Sequence, residues 1–354
     1  MSETTTRFHV RPRQVLQVIA GFVLSAVLLI WGLPHFAKTS WGEVWDIVDN
    51  LPLGRGLAFL GLVLLGLWSY TFTLTGSMPG LSHLRALIVN ICGSSVSNLL
   101  PGGGAVGLAA TYAICRSWGF GRRVVSTSAI VTGVWNTLSR IALPIIALAA
   151  LTAGRAGMPT VMRDAAVAAV LSGVLIVALF VGIIASESAA ARIGHTLDRL
   201  LRPLTRRTNR TMSIDALVRD LRARIIGVVR TGWLPMTLGL IGYFGCYYVL
   251  FVAIMRTTGV ELFHGELFAA FAIGRLLTAV GVTPGGVGIT ETGTAAALVA
   301  WGAVPAEATA GVVMFSIFTH LMEVPLGALG WLAWTLLPKT PADDGTDALD
   351  PQPG

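Results

Sequence analysis

Leu100-Pro-Gly-Gly-Gly104 and Thr283-Pro-Gly-Gly-Val-Gly-Ile-Thr-Glu291 interrupt two long apolar runs, and these breaks decide how the chain folds. In hydrocarbon every backbone N–H and C=O needs an internal partner. A Pro/Gly stretch at that depth is tolerated only where protein or a water-filled cavity lines it. Matching breaks in two halves of one chain are the sequence pointer to a binding site in secondary transporters. The hairpin breaks are Pro101, Gly102, Gly103 and Gly104 in the first run, and Pro284, Gly285, Gly286 and Gly288 in the second.

The flanking sequence is that of a polytopic helical membrane protein. Of the 354 residues, 54% are hydrophobic and 12% charged. Soluble domains carry about 25% charged residues. The apolar runs are Val15–Leu33, Leu53–Thr75, Leu84–Cys115, Val124–Ala153, Ala165–Ala185, Trp233–Met255, Leu267–Trp301 and Ala306–Leu337. Each unbroken run is long enough for a transmembrane helix, which needs about 20 residues. The broken runs divide into pieces that read as re-entrant helical hairpins. The expected fold is all-α: about six full spans and two re-entrant hairpins, forming one integral membrane domain over residues 15–337.

The net charge of +7 is carried nearly all by Arg. These residues cluster in short loops, the positive-inside pattern rather than a nucleic-acid-binding face. Arg7, Arg11 and Arg13 precede the first run, which reads as an uncleaved signal anchor after a cytoplasmic tail, residues 1–14. The linker 186–232 holds ten Arg against four acids, and Arg206, Arg207 and Arg210 could attract anionic lipid there. This distribution places both termini in the cytoplasm of a cell-membrane protein. The tail 338–354, with Asp343, Asp344, Asp347 and Asp350, reads as disordered.

The two halves, about 53–153 and 233–337, repeat a span–hairpin–span order in opposite orientation. They are joined through the span 165–185 and the Arg-rich linker. Pro101 precedes Arg140 by 39 residues, and Pro284 precedes Glu323 by 39. An inverted repeat of this kind is common among secondary transporters.

Ionisable groups inside spans are costly and usually mark a pathway. Arg140, Arg275, Glu291 and Glu323 are the candidates. Asn136 lies one turn before Arg140 and His320 one turn before Glu323, so each pair shares a helix face. Arg140 and Glu323 could pair between the halves, either as a structural ion pair or as a lining for a charged headgroup. Arg275 and Glu291 flank the second break and read as functional. The glycine runs allow two readings: close helix packing, or nests of backbone N–H groups that attract an anion. In the second reading Tyr112 lies on the half-helix opened by Gly102–Gly104. Cys92, Cys115 and Cys246 lack metal-ligand spacing, and no cofactor or metal is expected. No HExxH, GxSxG or GxxxxGK[ST] pattern occurs, so neither an enzyme nor an ATP-driven pump is expected.

Asn98-Leu-Leu-Pro-Gly-Gly-Gly with Tyr112, Arg116 and Gly119 resembles the first signature of the lysylphosphatidylglycerol synthase transmembrane family, also described as flippase-like. Thr283-Pro-Gly-Gly-Val-Gly-Ile-Thr-Glu291 resembles the second. Members often carry Gly-Glu and an Arg soon after the first break, where this chain has Ala105-Val-Gly-Leu-Ala-Ala110. The resemblance is to members without the soluble synthase domain. It implies lipid handling, with translocation across the bilayer the leading expectation. The partners expected are a membrane lipid or lipid-linked substrate and, in a cell envelope, biosynthetic proteins. A membrane-embedded transferase and a non-transporting scaffold are the alternatives.

Overall fold

In the computed structural model, residues 40–49, 52–99, 103–153, 214–278 and 283–340 are described, with isolated positions between 27 and 31 and between 171 and 178. The N-terminal tail, most of the first run and of the 165–185 span, most of the Arg-rich linker, Pro101, Gly102 and the acidic tail from 341 onward lie outside them.

The described residues fold as helices. A short α1 (Trp41–Val48) precedes α2 (Leu53–Ser77), α3 (His83–Leu99), α4 (Gly103–Ser117) and α5 (Arg122–Ala153). The second half holds α6 (Ile214–Thr257), α7 (His264–Leu277), a 3-10 turn (Pro284–Gly286) and α8 (Ile289–Ala300). It closes with α9 (Pro305–Ser316), a π turn (Ile317–Leu321) and α10 (Glu323–Leu336). Among the described residues four stretches are long and apolar enough to cross a membrane: Leu53–Ser77, Arg122–Leu148, Ala223–Thr257 and Pro305–Leu336. Two of the expected spans are present with added detail. The Trp233–Met255 span is part of a 44-residue helix that starts at Ile214. The Ala306–Leu337 run is divided by the π turn, which contains His320.

The pieces beside the breaks are shorter. The 17 residues of α3 and 15 of α4 reach roughly 25 and 22 Å at the α-helical rise. They lie antiparallel as a hairpin, with Gly93 against Thr111 and Gly103 against Ser97. Helices α7 and α8 repeat this, with Gly274 against Thr294 and Gly293 against Leu277.

Small residues set the helix approach. Helices α2 and α6 run antiparallel: Gly66 faces Tyr247, Ser69 faces Gly242, and Gly76 meets the backbone of Gly232. Thr73 Oγ1 donates to the Met236 carbonyl at 3.1 Å. Such small-residue seams are how helices associate where the surroundings are already apolar. Leu57, Leu64, Leu65, Leu238, Ile241 and Val249 on the outer faces are exposed, as hydrocarbon-facing residues are. Helix α3 packs on α10, where Gly327 faces Ser95 and Gly330 faces Ile91, and α7 packs on α5. Each hairpin therefore rests on the closing helix of the other half. Lys339 and Thr340, expected in the disordered tail, are tied down. The Thr340 amide donates to the Ser117 carbonyl at 2.9 Å, and the Lys339 ammonium sits 4.0 Å from the Trp334 ring centre.

Candidate functional site

The second break is built from backbone conformations that favour glycine. Gly285, Gly286 and Gly288 have φ of 59°, 78° and 89°, in the region side chains with a Cβ rarely enter. A Cβ on Gly285 would lie 2.9 Å from Asn98 Oδ1. The last turn of α3 thus touches the second break directly.

Glu291 closes this turn. Its Oε2 accepts from the Gly288 amide at 2.6 Å and the Thr290 hydroxyl at 2.8 Å, and its Oε1 accepts from the Ser316 hydroxyl. It is buried. This is a glutamate at the third helical position folding back on the residue that caps its own helix. The N-terminus of α8 was a candidate anion nest. The Gly288 amide there already carries the Glu291 carboxylate, so that amide is not open to an external anion.

On the described side of the first break, Gly103 and Gly107 sit at close helix contacts. Gly103 touches the Ser97 backbone, and Gly107 touches Ser97 Oγ and the Gly93 carbonyl. Ser97 Oγ donates to the Gly103 carbonyl at 3.1 Å. Gly104 has open space where a side chain would be.

A cavity of about 740 Å³ lies between the breaks, within the size range of small-molecule sites. Asn98, Gly103 and Gly104 line it from one side, and Thr283, Gly285 and Gly286 from the other. It adjoins a second space of about 430 Å³, and Asn90, Asn136, Arg140, Tyr243, Arg275 and Thr278 line both. His320 and Glu323 also line the larger space.

The charges in this cavity are not paired with each other. Arg275 is 9% exposed, and its guanidinium lies 5.4, 5.5 and 6.0 Å from the ring centres of Phe315, Phe271 and Tyr247. Its Nε is buried without a hydrogen-bond partner among the described residues. Arg140, half-buried on α5, faces the same space. The expected Arg140–Glu323 pair does not form. Glu323 instead accepts from Asn98 Nδ2 at 2.8 Å and from the Tyr247 hydroxyl at 3.5 Å. These donors come from α3 and α6, so Glu323 is satisfied without a cation.

Asn136 Nδ2 donates to the Tyr70 hydroxyl at 2.7 Å and to the Thr132 carbonyl at 2.8 Å. His320 Nδ1 lies 3.2 Å from Thr319 Oγ1. Tyr112 does not reach the cavity. It packs on the apolar cluster of Ile88, Ile114 and Trp118, while Gly107, Leu108 and Thr111 of the same helix face the cavity. One residue along a helix turns a side chain by about 100°, enough to leave the lining.

Asn90, Asn98 and Thr283 were not singled out from sequence as site residues, and all three line the cavity. A signal existed for two of them. Asn90, Ser94, Ser97 and Asn98 recur at helical spacing in an otherwise apolar helix. Among the described residues no three His, Cys, Asp or Glu side chains gather closely enough to hold a metal ion.

The family model described as the lysylphosphatidylglycerol synthase TM region matches residues 18–327. The chain belongs to this family. The matched region contains both breaks, both cavity arginines and both buried glutamates of this membrane protein. It ends within α10, shortly after Glu323. No curated protein matches the chain.

Proposed function

We propose that this protein is a lipid translocator of a cell membrane rather than an enzyme. The headgroup of an amphipathic lipid crosses through the cavity while its acyl chains remain in hydrocarbon. The observation that carries this reading is the cavity itself: a space of mixed polar and apolar lining inside an apolar helical bundle, bounded by both chain breaks and lined by Arg140 and Arg275. Membership of a lipid-related membrane family supports it.

In this reading the α3–α4 and α7–α8 hairpins are re-entrant, and the two halves form an inverted repeat. The packing of α3 on α10 and α7 on α5 supports that symmetry, because each half closes the other. Rocking of one hairpin against the other opens the cavity to alternate faces. Both termini lie in the cytoplasm, and the Arg-rich linker rests on anionic lipid with partner proteins of envelope synthesis nearby. The sequence carries no ATP-binding loop, so the drive comes from gradients, membrane potential or consumption of the lipid. One elementary charge moved through 100 mV supplies about 2.3 kcal/mol.

Reconstitution tests the reading. In vesicles with the purified protein and a panel of headgroup-labelled lipids, inner-leaflet label should become accessible to a membrane-impermeant quencher faster than in protein-free vesicles. Equal rates for every lipid in the panel would overturn it.

A further inference from the structure

Both buried carboxylates are engaged by neutral donors: Glu323 lines the cavity, and Glu291 lines a small pocket that shares Arg275 and His320 with it. Glu291 is held by Gly288, Thr290 and Ser316. Glu323 is held by Asn98 and Tyr247. The two arginines are not balanced in this way. Arg275 is more than nine-tenths buried, is ringed by Phe271, Phe315 and Tyr247, and keeps its Nε without an acceptor. Arg140 lines the same space, and neither guanidinium forms an ion pair among the described residues. Removing a cation from water without a counter-charge is costly. Two cations facing one cavity add their mutual repulsion.

The other unmatched polar atoms of the lining point the same way. Among the described residues Asn90 Nδ2 and the Thr283 hydroxyl are buried with no hydrogen-bond partner. With Arg275 Nε, these are N–H and O–H groups contributed by α3, α7 and the second break. A site with surplus donors and surplus positive charge suits a ligand made of acceptor oxygens. A guanidinium fork matches the oxygens of a phosphate group in geometry as well as charge.

We infer that Arg275 and Arg140, with Asn90 and Thr283, form an oxyanion subsite for the phosphate mono- or diester of an anionic lipid headgroup. The subsite lies on the cavity wall rather than at the N-terminus of α8, whose Gly288 amide Glu291 already fills. Glu323 shares the cavity, but its oxygens face Asn98 and Tyr247. A cationic headgroup in this space would meet two guanidiniums and no uncommitted carboxylate, which selects against it. The inference deepens the translocation reading by assigning a substrate class, and its test does not depend on transport.

The test is thermal unfolding of the purified full chain in neutral detergent. The ligands are short-chain phosphatidylglycerol, short-chain diacylglycerol, a short-chain cationic lipid without phosphate, and inorganic phosphate. Phosphatidylglycerol should raise the midpoint with dose, and diacylglycerol and the cationic lipid should not. Arg275→Gln and Arg140→Gln should each need about tenfold more phosphatidylglycerol for the same shift. Among the described residues Arg140 has no hydrogen-bond partner to lose, so its variant keeps the test open if Arg275→Gln fails to fold. A shift with phosphatidylglycerol alone assigns the subsite to a lipid headgroup, and a matching shift with inorganic phosphate assigns it to the oxyanion itself. Both outcomes support the subsite. Equal shifts with diacylglycerol, no shift with either phosphate-bearing ligand, or undiminished shifts in a folded Arg variant overturn it. If that happens while vesicles still translocate a neutral lipid, the charge assignment fails and the translocation reading stands. Specific phosphatidylglycerol binding without translocation of any lipid gives the converse.

Discussion

Asn98 Nδ2 donates a 2.8 Å hydrogen bond to Glu323 Oε2, joining the last turn of α3 to the first turn of α10 across 225 residues of sequence. The same Asn98 abuts Gly285. One side chain therefore links the hairpin of the first half to both the break and the closing helix of the second. Asn98→Leu should cost about 1–3 kcal/mol, because the buried carboxylate loses its nearest donor. Asn98→Asp should cost more, since it sets a second carboxylate against the first. Thermal unfolding in detergent measures both, and unchanged midpoints would remove the link.

Glu291 is held by its own helix terminus, so its loss should be felt locally. Glu291→Ala leaves the Gly288 amide and the Thr290 and Ser316 hydroxyls without their acceptor. The expected cost is about 1–3 kcal/mol. Hydrogen exchange should speed up at the amides of residues 288–292 before it changes in α2 or α6. Uniform acceleration through the whole bundle, or none at all, would contradict a capping role.

Those two residues show which parts of the molecule the sequence reveals. The membrane-crossing helices were legible because hydropathy over about 20 residues is a summed signal, and the breaks were legible because Pro and Gly act through backbone geometry alone. Charge partners were harder to read. Arg140 and Glu323 occupy matching places in the two halves, yet Glu323 is served by Asn98 and Tyr247 from helices whose approach no local pattern fixes. The role of Glu291 was locally available: glutamate three residues after Gly288 is the spacing of a capping box. Tyr112 missed the cavity because spacing along a helix gives relative phase, and packing alone sets which face turns inward. The polar stripe of Asn90, Ser94 and Asn98 was readable by periodicity, and its unmatched Asn90 amide became visible only with the cavity around it.

Gly232 and Gly245 lie on the same helix in different surroundings. A Cβ on Gly232 would overlap the Gly76 carbonyl, whereas Gly245 has nothing within 4 Å. Gly232→Ala should force α2 and α6 apart at a cost of about 1–3 kcal/mol. Gly245→Ala should be neutral or stabilise by about 0.5–1 kcal/mol, because alanine favours the helix. Paired thermal melts decide the matter. Equal effects at both positions would mean that the glycine seam does not set the helix separation.

Arg275 and Arg140 require the cavity to be wet, and two glycines offer a direct reading of that. Gly104 and Gly133 both line the cavity and have no atom within 4 Å of an added Cβ, so a cysteine fits at either without disturbing the packing. Cys92 and Cys115 are buried, and Cys246, half-buried, is first replaced by Ala. Gly104→Cys and Gly133→Cys should then react with a charged methanethiosulfonate reagent applied to both faces of the membrane. Leu238→Cys and Ile241→Cys, on the exposed apolar face of α6, should not. The charged reagent enters water-filled space but not hydrocarbon, and thiolate forms only where water reaches the sulfur. Saturating phosphatidylglycerol should slow labelling at Gly104→Cys and Gly133→Cys by filling the shared space. If both stay unreacted while a loop cysteine labels fully, the two arginines face a dry interior and no headgroup passes between the breaks.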